Sequence, residues 1–172
     1  MRTRLGQLLD VFTNISIIVV GGVMAFVLIL SVNGKRGPSP FTNRSAAHSI
    51  GEVLPALQGI TWAAADKNLV LYLNPHCSYC TTSMPFYQTL ARSARDHHVR
   101  VLAVSQYDAE LLKKYLEAHG LRNVPAIQAS AVFRVPGTPT VILCDRNARV
   151  LREWVGTLSA PAQDQIRHLL SS

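Results

Sequence analysis

The segment Leu69-Val70-Leu71-Tyr72-Leu73-Asn74-Pro75-His76-Cys77-Ser78-Tyr79-Cys80 places an apolar run, a break and a pair of thiols in immediate succession. Leu69 to Leu73 is continuous, of strand length, and ended by Asn74-Pro75, which reads as a buried strand in the middle of a sheet. A helix is expected from Cys77 to about Arg95, kinked at Met84-Pro85, because proline removes a hydrogen bond and clashes with the preceding turn. The pair therefore opens a helix. Its unpaired N–H groups and positive dipole end favour a thiolate, the nucleophile of thiol–disulfide exchange. Two intervening residues put Cys80 one turn beyond Cys77, near enough to close a small ring. Cys77 is assigned as the attacking thiol and Cys80 as the resolving one, the two forming a redox-active disulfide.

Working outward, Val53–Leu57 and Gly59–Trp62 read as two short extended segments around a turn, an edge hairpin. Val99–Val104 is a second strand, and Ala109–His119 sets Leu111, Leu112, Tyr115 and Leu116 at helical spacing with Gly120 as its cap. After Pro125 comes a short element, then a strand from Thr140 to Cys144, a turn at Asp145-Arg146-Asn147, a strand from Val150 to Trp154, and a helix from Ala160 to Leu170. Alternating strands and helices followed by a hairpin and a last helix predict an α/β fold with a mixed central sheet flanked by helices.

The 172 residues suffice for one domain with an appendage. From Ile15 to Val32 the chain has no charge, and extension back to Val11 admits only Thr13, Asn14 and Ser16 as polar interruptions. Such a stretch spans a bilayer core of about 30 Å, whereas the apolar region of a secretory signal is about 7–15 residues. Ser31-Val32-Asn33-Gly34-Lys35-Arg36 offers no small-x-small cleavage site, so an uncleaved anchor is preferred to a removed signal. The expected organisation is an N-terminal flank over 1–10, a single transmembrane helix over 11–32, a linker rich in Gly, Pro and Ser over 33–50, and one domain over 51–172. Basic residues flank both ends of the apolar stretch, so charge alone does not orient it. The formal charge is +7, but the basic residues are scattered. No nucleic-acid partner is expected; attraction to an anionic membrane surface is the milder inference.

Other uses of the pair fare less well. Residue 81 is threonine, so the histidine of a Cys-x-x-Cys-His haem attachment is missing, and no second ligand pair at zinc spacing appears. No metal and no dissociable cofactor are expected. Cys144, late in an apolar strand, reads as buried packing. His76 precedes the nucleophile, where a donating or protonated imidazole would stabilise the thiolate; an exposed histidine of no consequence is the competing reading. Tyr79 is placed at the rim of the site.

The motifs resemble the thioredoxin superfamily, specifically its membrane-tethered TlpA/ResA-type thiol–disulfide oxidoreductases. The resemblance covers residues 51–172 and rests on Glu52–Gly59 as an additional N-terminal hairpin, Cys77-Ser78-Tyr79-Cys80 with Met84-Pro85 as an active-site helix, and Gly137-Thr138-Pro139 leading the strand to Asp145. It implies a thioredoxin-like fold, a cis bond at Pro139, and Thr138 and Pro139 as substrate-binding residues beside the pair. It also implies disulfide exchange with protein substrates and a redox-recycling partner. Three positions depart from the family pattern: His76 replaces an aromatic, Ser83 an acidic residue, and Leu71 the buried acid six residues before the nucleophile. Losing these proton acceptors moves the expectation from reductant toward oxidase or isomerase. The domain is expected on the extracytoplasmic, periplasmic side, where dithiol control is needed. A copper(I) chaperone using the same thiols and a non-catalytic docking domain are the alternatives.

Overall fold

The computed structural model describes residues 48–171. The expected anchor over 11–32 and nearly all of the expected linker lie outside them; among the described residues no helix is long and apolar enough to cross a membrane. The elements are β1 (Lys67–Tyr72), α1 (Ser78–Thr82), α2 (Met84–Asp96), β2 (Arg100–Ser105), α3 (Ala109–Ala118), β3 (Ala126–Gln128), β4 (Thr140–Asp145), β5 (Val150–Val155) and α4 (Ala160–Ser171). They build one sheet in the order β3-β2-β1-β4-β5, the first three strands parallel and β4 and β5 antiparallel. The run Leu69–Leu73 thus supplies the central strand, as expected, and its residues in β1 are buried on both faces.

Alternation along β1 divides the interior in two. Leu69, Leu71 and Leu73 face a core with Cys80, Met84, Tyr87 and Leu90 of the first two helices. Val70 and Tyr72 face the other way, with Val104, Ile142, Cys144 and Phe133. Each fully buried leucine contributes about 1.5–3 kcal/mol relative to exposure, which holds the helices on one face. Asn68, fully buried at the start of β1, is satisfied on both ends of its amide: Nδ2 donates to the carbonyls of Trp62 and Asp145, and Oδ1 accepts from Arg100 Nε at 2.7 Å. α3 begins under Asp108, whose carboxylate accepts from the N–H groups of Glu110 and Leu111. It ends before Gly120 at φ +75°, the left-handed conformation glycine adopts without penalty.

The edge hairpin expected over Val53–Trp62 does not form. Val53 makes a single antiparallel bridge with Arg149, and Gly51 N–H, Glu52 C=O and Leu54 N–H bond to the start of β5 and the turn before it. Gly59 turns the chain at φ +74°, and Trp62–Ala64 is a 3₁₀ turn. The physical reason is local: Pro55 has no N–H to give to a ladder, and Leu54 and Leu57, three apart, both turn into the core instead of alternating. The segment caps the β5 edge. Just before it, His48 donates its N–H to Glu153 Oε2 at 2.9 Å and presents its ring edge to Phe133.

Candidate active site

Asn74-Pro75-His76-Cys77 forms the turn between β1 and α1. Cys77 N–H donates to Asn74 C=O at 3.0 Å, and His76 N–H donates to Asn74 Oδ1 at 2.8 Å. Asparagine at the first position and proline at the second suit such a turn, one by its side-chain acceptor and the other by its fixed φ. Cys77 becomes the N-cap of α1, extended at φ −94° and ψ 117°, with its carbonyl accepting from Cys80 and Thr81. The expected kink is a break: α1 stops at Thr82, Ser83 joins it to α2, and Pro85 stands in the first turn of α2, where its missing N–H costs least.

The two sulfurs occupy different surroundings. Cys77 is partly exposed, Cys80 fully buried. The Cys77 thiol lies 3.6 Å from the Thr138 carbonyl, toward which it donates. Desolvation is the largest single influence on Cys77 and pushes its thiol up. The Thr138 side chain, the Cys80 backbone and thiol and the Tyr79 backbone act in the opposite sense and together hold it below the ordinary cysteine range. Burial pushes Cys80 up to about 12, against the N–H of Asn74, which reaches its sulfur at 3.4 Å, and with a further push from Cys77. One thiol is thus prepared to ionise and its neighbour to stay protonated, the division that attack followed by resolution requires.

The bond between Thr138 and Pro139 is cis, and the pair faces Cys77 from the loop before β4. The Thr138 carbonyl takes the thiol contact, the Thr140 hydroxyl donates to Gly137 C=O at 2.7 Å, and Gly156 N–H donates to Pro139 C=O at 2.7 Å, fastening the loop on both sides. Tyr79, in the first turn of α1, is 58% exposed. The His76 ring is exposed and sits edge-on to Tyr107 at 5.2 Å. Leu71 is sealed in the core that holds Cys80, and Ser83 donates its hydroxyl to Tyr79 C=O at 2.8 Å. Among the described residues no carboxylate acts on either thiol.

Three neighbours were not singled out from the sequence. Asn74 supplies the N–H on Cys80. Tyr115 joins its hydroxyl to Thr81 Oγ1 at 3.1 Å. Tyr87 is fully buried, and burial pushes its hydroxyl well above the usual phenol range, against the Ser83 side chain and with Cys80, Tyr115 and Cys77 adding to the push. Tyr87 lies seven residues after Cys80, and this two-turn spacing was the one signal pointing to it. Cys144 is buried on the other face of the sheet, as expected. Among the described residues no group of three or more His, Cys, Asp or Glu side chains gathers where it would hold a metal.

A groove of about 660 Å³ is lined by Asn74 and Thr138, the two residues that contact the thiols, together with Tyr72, Phe133, Arg134 and Val135 among others.

Comparison with known proteins gives the same picture. The family model described as AhpC/TSA family matches residues 58–164. A thiol:disulfide interchange protein DsbE from Chlorobium tepidum is 25% identical, with 72% of this chain and 99% of that one covered and a TM-score of 0.52. A thioredoxin family thiol:disulfide interchange protein from Chlorobium tepidum TLS is 16% identical, covering 73% and 100%, with a TM-score of 0.57. A thiol:disulfide interchange protein from Bacteroides sp. is 20% identical, covering 70% and 88%, with a TM-score of 0.55. No curated protein matches in sequence.

Proposed function

This chain belongs to the AhpC/TSA family, and from that premise we propose that it is a thiol–disulfide oxidoreductase that exchanges disulfides with protein partners through Cys77 and Cys80. One observation carries the reading: an accessible thiol held low stands one turn before a buried thiol held high. The Cys77 thiolate attacks a sulfur of the partner's disulfide. That S–S bond breaks, and the departing partner thiolate takes up a proton. Cys80 then loses its proton and attacks the Cys77 sulfur, releasing the second partner thiol and leaving the Cys77–Cys80 disulfide. Two electrons have passed to the partner; run backward, the steps oxidise it.

Stabilising the Cys77 thiolate stabilises the reduced form, which makes the disulfide more oxidising. Together with the absence of a carboxylate proton acceptor among the described residues, this supports an oxidase or isomerase bias. Thr138 and Pro139 are the substrate-facing residues, and Tyr79 and His76, both exposed beside Cys77 in the chain, form the outer rim. The uncharged stretch over 15–32 supports a single-pass anchor, and the chemistry supports an extracytoplasmic domain, because disulfides persist in oxidising compartments.

Cys80→Ala tests the exchange. Expressed in cells, it should accumulate mixed disulfides on Cys77 that reductant releases, and Cys77→Ala should not. If Cys80→Ala traps nothing, or mild oxidation leaves Cys77 and Cys80 unbonded by mass spectrometry, the reading fails. The direction is set by the reduction potential: a value near about −120 mV marks an oxidant and one near about −270 mV a reductant.

A further inference from the structure

Resting on the exchange reading above, we infer that the groove beside Cys77 selects substrate segments carrying a carboxylate near their reactive cysteine, and that Arg134 is the specificity-determining residue. The groove shares two of its lining residues with the immediate surroundings of the thiols. Thr138 lines it and touches the Cys77 sulfur; Asn74 lines it and touches the Cys80 sulfur. A chain bonded to Cys77 therefore has this groove as its adjoining surface.

The lining has two chemical parts. Tyr72 and Phe133 stack with ring centroids 5.7 Å apart, and Val135 and Ala129 extend this apolar floor. Phe133 is buried, held from behind by the edge of the His48 ring, so the floor is a built wall and not a loose loop. Arg134 is the one charged residue in the lining. It is exposed and makes no ion pair among the described residues, whose salt bridges lie elsewhere. An apolar floor with one unpaired cation complements an extended segment with an apolar or aromatic side chain and a nearby Asp or Glu. The described residues carry 12 Lys and Arg against 9 Asp and Glu, a formal +3 that adds modest attraction for such partners from a distance. A rim charge of this kind acts on encounter and choice of partner, and leaves the thiol chemistry alone.

The test uses the full chain, reduced and in detergent, with three peptides that each contain one internal disulfide and differ only in a Glu, Gln or Lys two residues from the attacked cysteine. Second-order rate constants for their reduction should fall in that order, with about tenfold between Glu and Lys at low salt, and the spread should shrink as ionic strength rises. Arg134→Glu should invert the order and Arg134→Gln should flatten it, while alkylation of Cys77 by iodoacetamide keeps its parental rate in both variants. Equal rates for all three peptides, or an order unchanged in Arg134→Glu, would overturn the inference and leave the exchange reading intact. No reduction of any peptide by the reduced chain, together with no oxidation of the same peptides in dithiol form by the oxidised chain, would overturn both.

Discussion

Resolution by Cys80 is predicted to be slow at neutral pH and to accelerate steadily into strongly alkaline solution. Burial moves this thiol from 9.0 to about 12, lowering its thiolate population at pH 7 by three decades. A more basic thiolate is a better nucleophile, and with a Brønsted coefficient of about 0.4–0.5 the gain recovers about 1.2–1.5 of those decades. Attack by Cys80 is then about 30- to 60-fold slower than by an unperturbed cysteine in the same geometry. The push from Cys77 lapses once that sulfur is in a mixed disulfide; desolvation, the larger cause, persists. The assay mixes reduced protein with excess glutathione disulfide, quenches with acid at intervals, and follows the glutathione adduct of Cys77 by mass spectrometry from pH 6 to 11. The rate at which the adduct decays to the internal disulfide should rise about tenfold per pH unit throughout, as expected while the nucleophile is mostly protonated. A profile that levels at or below pH 9 would refute the reasoning, because it would require a proton acceptor that the site lacks among the described residues.

Thr138→Val removes the hydroxyl that helps hold the Cys77 thiol low, so its thiolate absorbance should appear at higher pH than in the parent and alkylation by iodoacetamide at pH 6 should slow. Cys144 is fully buried and pushed from 9.0 to about 12, so the fold prefers its protonated form. The stability it contributes is complete below pH 9 and is lost as pH rises toward 12, by about 3 kcal/mol at pH 11. Urea unfolding of reduced Cys144→Ala should therefore lose less stability than the parent between pH 8.5 and 11, and an equal loss would contradict the assignment. Asp108→Ala leaves the N–H groups of Glu110 and Leu111 without their cap and should cost about 1 kcal/mol in the same assay, with the iodoacetamide rate of Cys77 unchanged.

The parts of this molecule that were legible in advance are those where one residue pattern admits one structure. The run at Leu69–Leu73, the helix ending at Gly120 and the antiparallel pair around Asp145–Asn147 fall where expected; of the four apolar residues set at helical spacing, Leu112, Tyr115 and Leu116 are buried and Leu111 is exposed. The segment before β1 was misread because a short apolar stretch interrupted by proline carries no usable period. Whether Leu54 and Leu57 alternate or turn inward together is decided by the edge of β5, which is distant in sequence. The site divides in the same way. Cys77 and Cys80 announce themselves by spacing and Thr138 and Pro139 through the resemblance of Gly137-Thr138-Pro139 to a family motif, whereas the N–H of Asn74 on Cys80 and the neighbouring Tyr87 and Tyr115 take positions that exist only once the helices are packed. The low Cys77 was expected at a helix start; the high Cys80 comes from burial, which no motif encodes.

Three cysteines make an odd number, and an odd thiol beside a redox pair invites scrambling. The partition between the two cores forestalls it here. Cys80 belongs to the helix-covered interior and Cys144 to the opposite one, with the full thickness of a hydrogen-bonded sheet between them. For the third sulfur to intrude, strand β4 would have to peel away from both neighbours, which amounts to unfolding. The backbone is in effect an insulator between two sulfur compartments. A native thiol titration, in turn, reads Cys77 first, because Cys80 and Cys144 are both buried.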